Sequence, residues 1–237
     1  MKLAVVMPCY GQWKLAAGAL RSLCKQVPYD AVLTTYVIDN GSPESPTPYR
    51  IANWCNTLIT LPKNVGVTKS WNIGIQRALN DGADVVCVSN SDVVFGRTVL
   101  RECLACLRAG NHSCYPYSIK GGPLSPDWEK IDASYGPIQS MWSDGGYAGG
   151  WCFFLTRECL EKVGLFDERF TLWYQDAQYW RRLRMANKPL QVVQSCILHH
   201  YESRTIVSMP GQFDCYGWRE NDAKEFAKWL KEVGLPE

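Results

Sequence analysis

Apolar runs and polar breaks alternate along the first half of the chain. Lys2 to Met7 (KLAVVM) is almost continuously apolar, the pattern of a strand buried on both faces of a parallel sheet. Trp13 to Cys24 then places Leu15, Ala19, Leu20 and Leu23 at helical spacing. Leu33 to Ile38 predicts a second strand, ended by the turn sequence Asp39-Asn40-Gly41-Ser42. Leu58 to Leu61 predicts a short third strand, and Val67 to Leu79 a helix with Trp71, Ile75 and Leu79 on one face. Val85 to Val88 is a further buried strand, followed by Ser89-Asn90-Ser91-Asp92, and Arg97 to Arg108 is helical. Strand–helix repetition of this kind predicts an α/β fold with a mainly parallel sheet and right-handed crossovers.

The second half is less regular. Ser118 to Gly150 is rich in Gly, Pro, Ser and Asp and shows no clear period, so it predicts a functional excursion. Trp151 to Leu155 reads as a strand, Arg157 to Val163 as a short helix and Leu190 to Val193 as a strand. Asp176 to Ala186 predicts a helix whose acidic start suits the positive end of its dipole. Asn221 to Val233 is an amphipathic helix with Phe226, Trp229, Leu230 and Val233 on its apolar side. No internal repeat, low-complexity tract or clean linker interrupts the 237 residues, which predicts one domain.

Composition narrows the function classes. Hydrophobic residues make up 46% and charged residues 20%, which excludes a disordered chain. With 25 Lys and Arg against 23 Asp and Glu, the net charge of +2 argues against a general nucleic-acid binder. No apolar run approaches the ~20 residues a membrane-spanning helix needs, although peripheral association with a membrane stays open. The apolar start is cut short by Pro8, a poor signal peptide, so the expected location is the cytoplasm. The 11 cysteines are then expected to be mostly buried thiols. Cys103, Cys106, His112 and Cys114 also allow a zinc reading, but the two helical cysteines sit in an apolar stretch with Leu100, Leu104 and Leu107. Many of the 10 Trp and 12 Tyr fall between Tyr115 and Trp180, where they suit either a core or a flat ligand such as a sugar ring.

Ligands of open parallel sheets bind at the carboxyl ends of strands. Three polar segments follow the predicted strands: Pro8-Cys9-Tyr10, Asp39-Asn40-Gly41-Ser42 and Asn90-Ser91-Asp92. Each alone is weak; together at one sheet edge they predict a site. Asp39 can accept hydrogen bonds from a base or ribose, and Asp92 can hold Mg²⁺ or Mn²⁺. Neither a Walker-type loop nor G-x-G-x-x-G follows the first strand, so nucleoside triphosphatase and dinucleotide enzymes are unsupported. The bland readings remain: Asp39 as a turn residue, Asp92 and Asp176 as helix caps, His199 and His200 as strand-end residues, and Trp151, Trp173 and Trp180 as core.

The sequence resembles the family 2 glycosyltransferases of GT-A fold, on the rhamnosyltransferase-like branch. The matching pieces are Val5-Val6-Met7-Pro8-Cys9-Tyr10, Val37-Ile38-Asp39-Asn40-Gly41-Ser42, Asn64-Val65-Gly66 with Asn72-Ile73-Gly74, and Asn90-Ser91-Asp92. They continue through Gly149-Gly150-Trp151-Cys152-Phe153-Phe154 and Val163-Gly164-Leu165-Phe166-Asp167-Glu168-Arg169-Phe170 to Gln175-Asp176, and end at His199-His200 with Ser203 and Thr205. The resemblance implies a nucleotide-sugar half over 1–110 and an acceptor half over 111–237. It implies nucleotide contacts at Pro8, Tyr10, Asp39, Asn64, Gly66, Asn72, Asn90 and Ser91. Asp92 and His200, with His199 as fallback, would touch Mn²⁺ or Mg²⁺, and Asp176 would be the catalytic base. Gly150, Trp151, Trp173 and Gln175 would face the acceptor. The implied donor is a UDP-, GDP- or dTDP-sugar and the acceptor a carbohydrate or lipid-linked hydroxyl, with inversion at the transferred carbon.

Three departures from the family pattern stand out. Asn40 replaces a frequent second Asp, Asn90 the first Asp of D-x-D, and Gln175 the Glu before the base. Fewer carboxylates weaken metal affinity or change donor preference, and they keep a second class alive: a catalytically silent nucleotide-sugar or sugar-binding module. A sugar-nucleotide pyrophosphorylase would need a basic, Gly-rich loop after the first strand, which Cys9-Tyr10-Gly11-Gln12 does not supply.

Overall fold

The computed structural model describes residues 1–27, 29–134, 142–144, 149–202 and 215–236. Within them the order is β1 (Lys2–Cys9), α1 (Trp13–Leu23), β2 (Val32–Asp39), β3 (Thr57–Thr60), α2 (Val67–Asn80), β4 (Val85–Ser89) and β5 (Val93–Phe95). There follow α3 (Val99–Arg108), β6 (Ser113–Lys120), α4 (Trp128–Ser134), β7 (Trp142–Asp144), β8 (Cys152–Thr156), α5 (Arg157–Val163), α6 (Gln175–Met185), β9 (Gln191–His200) and α7 (Cys215–Glu232). Two short 3₁₀ turns, Thr47–Tyr49 and Ile51–Asn53, lead into β3.

All nine described strands form one sheet in the order β3-β2-β1-β4-β8-β6-β9-β5, with β7 also paired to β9. The α/β expectation holds, and its parallel part is localised. The run β3-β2-β1-β4 is parallel throughout, whereas β8 joins β4 and β6 antiparallel. β6 and β9 are parallel, and β5 and β7 flank β9 antiparallel, so the second half is mixed.

Alternation along β1 shows how the layers are built. Leu3, Val5 and Met7 enter one apolar cluster with α1 and α3. Ala4 and Val6 point the other way, into a second cluster with α2, α5 and α6. A strand that feeds a core on both faces must be apolar at every position, which is why KLAVVM shows no alternation. Gly74 lets α2 lie close on this sheet: a Cβ there would stand 2.2 Å from Val6 Cγ1.

The strand predicted over Leu190 to Val193 extends to His200. Its pairing with β6 slips between Pro116 and Tyr117, where the β9 partner jumps from Val193 to Ile197. The intervening Gln194, Ser195 and Cys196 bulge out and break the apolar pattern. β6 itself went unpredicted because Pro116 lies inside it, a position tolerated at such an irregularity. The Ser118–Gly150 excursion contains the end of β6, then turns leading to α4, and β7; residues 135–141 and 145–148 of it lie outside the described residues. Ser203 and Thr205 of the resemblance lie outside them too.

Candidate functional site

The three strand-end segments meet at one edge of the sheet. Cys9 is paired with Asp39, and the Asn40 N–H donates to the Cys9 carbonyl at 2.8 Å. Asp39 is buried, and its Oδ1 accepts the Ser42 N–H at 2.9 Å, while Ser42 Oγ accepts the Gly11 N–H at 2.8 Å. Ser91 is buried beside the Cys9 thiol, which burial pushes upward in pKa. Pro8 and Tyr10 are half-buried at the end of β1.

Asn40 explains its own departure from the family pattern. Its Nδ2 donates to Asn64 Oδ1 at 3.0 Å and to the Gly66 carbonyl at 3.1 Å, while its Oδ1 accepts the Val65 N–H at 3.0 Å. An Asp there could accept but not donate. Asn64 Oδ1 also accepts the Gly66 N–H at 2.9 Å. Gly66 sits at φ +86°, and a Cβ would meet Thr171 Cγ2 at 2.7 Å. The Thr171 carbonyl takes the Val67 N–H at 2.8 Å, so it occupies the start of α2. Asn72 holds Phe166 by both backbone groups and donates to Glu168 Oε1 at 3.0 Å. Of the residues expected at the nucleotide, Gly66 and Asn72 meet the 164–171 loop, and Asn64 ties the start of α2 to Asn40.

A cleft of about 750 Å³ opens beside this frame. Of the expected residues, Asn90, Gly150, Trp151, Trp173, Gln175, Asp176 and His200 line it. Pro8, Tyr10, Asp39, Asn64, Gly66, Asn72, Ser91 and Asp92 are not among its walls, although Asp92 touches His200 from behind. β5 and β9 place Asp92 next to His200: Val93 pairs with His200, and the Tyr201 N–H donates to the Asp92 carbonyl at 2.9 Å. Asp92 Oδ1 lies 3.2 Å from His200 Nε2, both side chains being buried, without the alignment of a hydrogen bond. Neither His200 nitrogen has a hydrogen-bond partner among the described residues. His200 stacks on Trp151 at 5.1 Å, and Lys120 Nζ lies 4.4 Å from the same ring. His199, the neighbour on an alternating strand, turns to the other face and meets Trp128.

Asp176 opens α6 and reaches back to the sheet. Its Oδ2 accepts the Gly150 N–H at 2.8 Å and its Oδ1 the Ala177 N–H at 2.8 Å. Gly150 must be small: a Cβ would stand 3.2 Å from Asp176 Oδ2 and 3.0 Å from Trp71. Burial raises the Asp176 pKa, and the two N–H donors partly oppose the rise. The Asn90 N–H donates to the Trp151 carbonyl at 2.7 Å, so Asn90, Trp151, Gly150 and Asp176 form one connected wall.

Several wall residues escaped the sequence reading. Lys120, Arg181, Arg184, Glu202, Arg219 and Phe226 all line the cleft. Behind them Asp222 of α7 is buried, and its carboxylate accepts the N–H groups of Thr171, Leu172 and Trp173 at 2.8–3.1 Å. The only trace of this nest in the sequence is one of several acids on the polar side of a helix. The zinc reading finds no support in the placement of its residues. Cys103, Cys106 and Cys114 are buried, whereas His112 is turned to Glu158, at 3.7 Å. Among the described residues no three His, Cys, Asp or Glu side chains gather to hold an ion.

Polar strand ends beside one cleft, on a sheet parallel in its first half and mixed in its second, define the GT-A class of α/β fold. The chain belongs to glycosyl transferase family 2, whose pattern matches residues 4–164. Similar solved structures include GalNAc-T7 with UDP, GalNAc and Mn²⁺, at TM-score 0.67 and 14% identity over 84% of this chain and 44% of that one. The mannosyltransferase PcManGT from Pyrobaculum calidifontis, in complex with GDP-Man and Mn²⁺, gives TM-score 0.67 and 17% identity over 99% of this chain and 65% of that one. S. aureus TarS 1-349 gives TM-score 0.63 and 15% identity over 98% of this chain and 72% of that one. The chain therefore spans less than two thirds of the length of the first two. No curated protein matches it in sequence. Among the described residues no helix is long and apolar enough to cross a membrane.

Proposed function

We propose that this chain transfers a sugar from a nucleoside-diphosphate sugar to a hydroxyl of a carbohydrate or lipid-linked acceptor, with inversion. The observation that carries the reading is the meeting of Asp176 with buried, unpartnered polar atoms around one cleft. Trp71 Nε1, Gln175 Oε1 and both His200 nitrogens lack hydrogen-bond partners among the described residues, and all three residues line it. Buried polar groups are rarely left so unless water, an ion or a ligand completes them.

Asp92 and His200 fit a divalent ion, since a buried carboxylate oxygen and an unpaired imidazole nitrogen stand together. They would hold Mn²⁺ or Mg²⁺, with phosphate oxygens and water as further ligands. When bound, the ion supplies positive charge where the leaving diphosphate gains negative charge. The Mn²⁺ in two of the similar structures supports this assignment.

Asp176 removes the acceptor proton. Its two oxygens are oriented by the Gly150 and Ala177 N–H groups, and partial burial raises its proton affinity. A single carboxylate acting as base rather than as nucleophile leads to attack from the face opposite the diphosphate and hence inversion. Trp151 and Trp173 offer faces on which sugar rings can stack. We assign Asp39, at the adjoining strand end, to the base or ribose.

The test is a panel of UDP-, GDP- and dTDP-sugars with and without Mn²⁺. Binding is read by the shift in melting temperature and turnover by release of the nucleoside diphosphate. Metal-dependent stabilisation with release supports a transferase. Stabilisation without release at any acceptor concentration would indicate a silent binding module instead.

A further inference from the structure

The cleft carries charge that the transfer chemistry does not account for. Lys120, Arg181, Arg184 and Arg219 face two carboxylates, Asp176 and Glu202. The whole chain has 25 basic and 23 acidic residues, so its small cationic excess is matched by this one region. Lys120 and Arg184 have partners of their own. Arg181 and Arg219 make no ion pair with any carboxylate among the described residues. Arg181 is held over Phe226 at 5.0 Å and donates to the Ala177 carbonyl at 3.2 Å. Arg219 is held over Trp173 at 5.4 Å. Guanidinium groups that lie on aromatic faces are positioned while their planar N–H edge stays available for a carboxylate or phosphate.

Their place along the cleft follows from the elements that carry them. Leu190 precedes β9 and His200 ends it, and both line the cleft, so it extends along that strand. Asp92 and His200 mark one end. α6 carries Asp176 in its first turn, where it is tied to the sheet through Gly150, and its last turn precedes Leu190. Arg181 thus stands five residues along α6 from the base, an axial rise of roughly 7.5 Å. Arg219 reaches the same wall from α7 through Trp173.

We infer that the acceptor is an anionic glycan, bearing a carboxylate or phosphate within roughly 10 Å of the hydroxyl that receives the sugar, and that Arg181 and Arg219 bind that anion. The inference rests on the transferase reading above and names the substrate class of its acceptor side.

Calorimetry on the full chain, with nucleoside diphosphate and Mn²⁺ present, tests it. Three probes are compared: a neutral disaccharide, the same disaccharide carrying a uronic carboxylate, and the same carrying a phosphate monoester. At least one anionic probe is expected to bind about tenfold or more tighter than the neutral one, the size of a charge-assisted hydrogen bond. That preference should vanish in the Arg181→Gln, Arg219→Gln double variant, fade in high salt and largely persist when both are changed to Lys. The stronger of the two anionic arms identifies the group. Equal binding of neutral and anionic probes overturns the inference. So does a preference that survives the double Gln variant, or no binding of either anionic probe at millimolar concentration. Nucleoside diphosphate binding is measured separately. Its absence beside intact anionic preference would speak against the transferase reading alone, and its presence without that preference against the anionic acceptor alone.

Discussion

The frame after β2 and the cleft beside it both bury polar side chains, used in opposite ways. In the frame, Asn40, Asn64, Ser42 and Asn72 are satisfied by one another and by backbone. In the cleft, Trp71, Gln175 and His200 hold buried atoms with no partner among the described residues. A satisfied polar network fixes geometry; an unsatisfied one marks where a ligand finishes the job. Changes in the frame should therefore cost stability, and changes in the cleft should cost function.

The sharpest break is Asp176→Asn. Losing the general base is expected to slow transfer by ~10²–10⁴-fold at saturating donor, while nucleotide binding persists. Near-normal turnover would remove Asp176 from the mechanism. In the unchanged protein the rate should fall as pH drops, because a protonated base accepts nothing. Burial raises this pKa, so the midpoint should lie above the ordinary carboxylate value of about 4. The stability sign is opposite to that of a salt-bridged acid. A raised folded pKa contributes stability below the unfolded value and loses it as pH rises through the folded one.

Asp92→Ala comes next. It should weaken nucleoside diphosphate binding at least ~10-fold in Mn²⁺ and much less in EDTA. Equal losses in both would assign Asp92 to the frame rather than to the metal.

Asn40→Asp moves to the frame. A carboxylate would face the Asn64 and Gly66 oxygens that now accept from the amide, and Asp39 is its neighbour. The expected loss is about 1–3 kcal/mol of stability, read by denaturant midpoint. An unchanged midpoint would mean that the second Asp of the family pattern is compatible with this turn. Ser42→Ala, which frees only the Gly11 N–H, should cost the least, about 0.5–1.5 kcal/mol, and leave catalysis alone.

The same division decides how much was legible in the sequence. Strand ends at Asp39 and Asp92 could be read because short-range apolar runs stop there. Asp176 and His200 were reached through resemblance, and the place of His200 beside Asp92 depends on the pairing of β5 with β9. β6 was hidden by Pro116, and with it Lys120. Arg181 and Arg219 were hidden for a different reason: an arginine on a helix face looks the same whether it meets solvent or a cleft. No local pattern shows that α7 folds back over residues 171–173, since the contact joins segments some 50 residues apart.

The carboxylate of Asp222 makes that return contact with three successive N–H groups of the chain entering α6. The same helix supplies Arg219 and Phe226 to the cleft wall. Selectivity and alignment are thus inherited together. An exchange of residues 215–232 between relatives would transplant an acceptor preference and reset the base in one step.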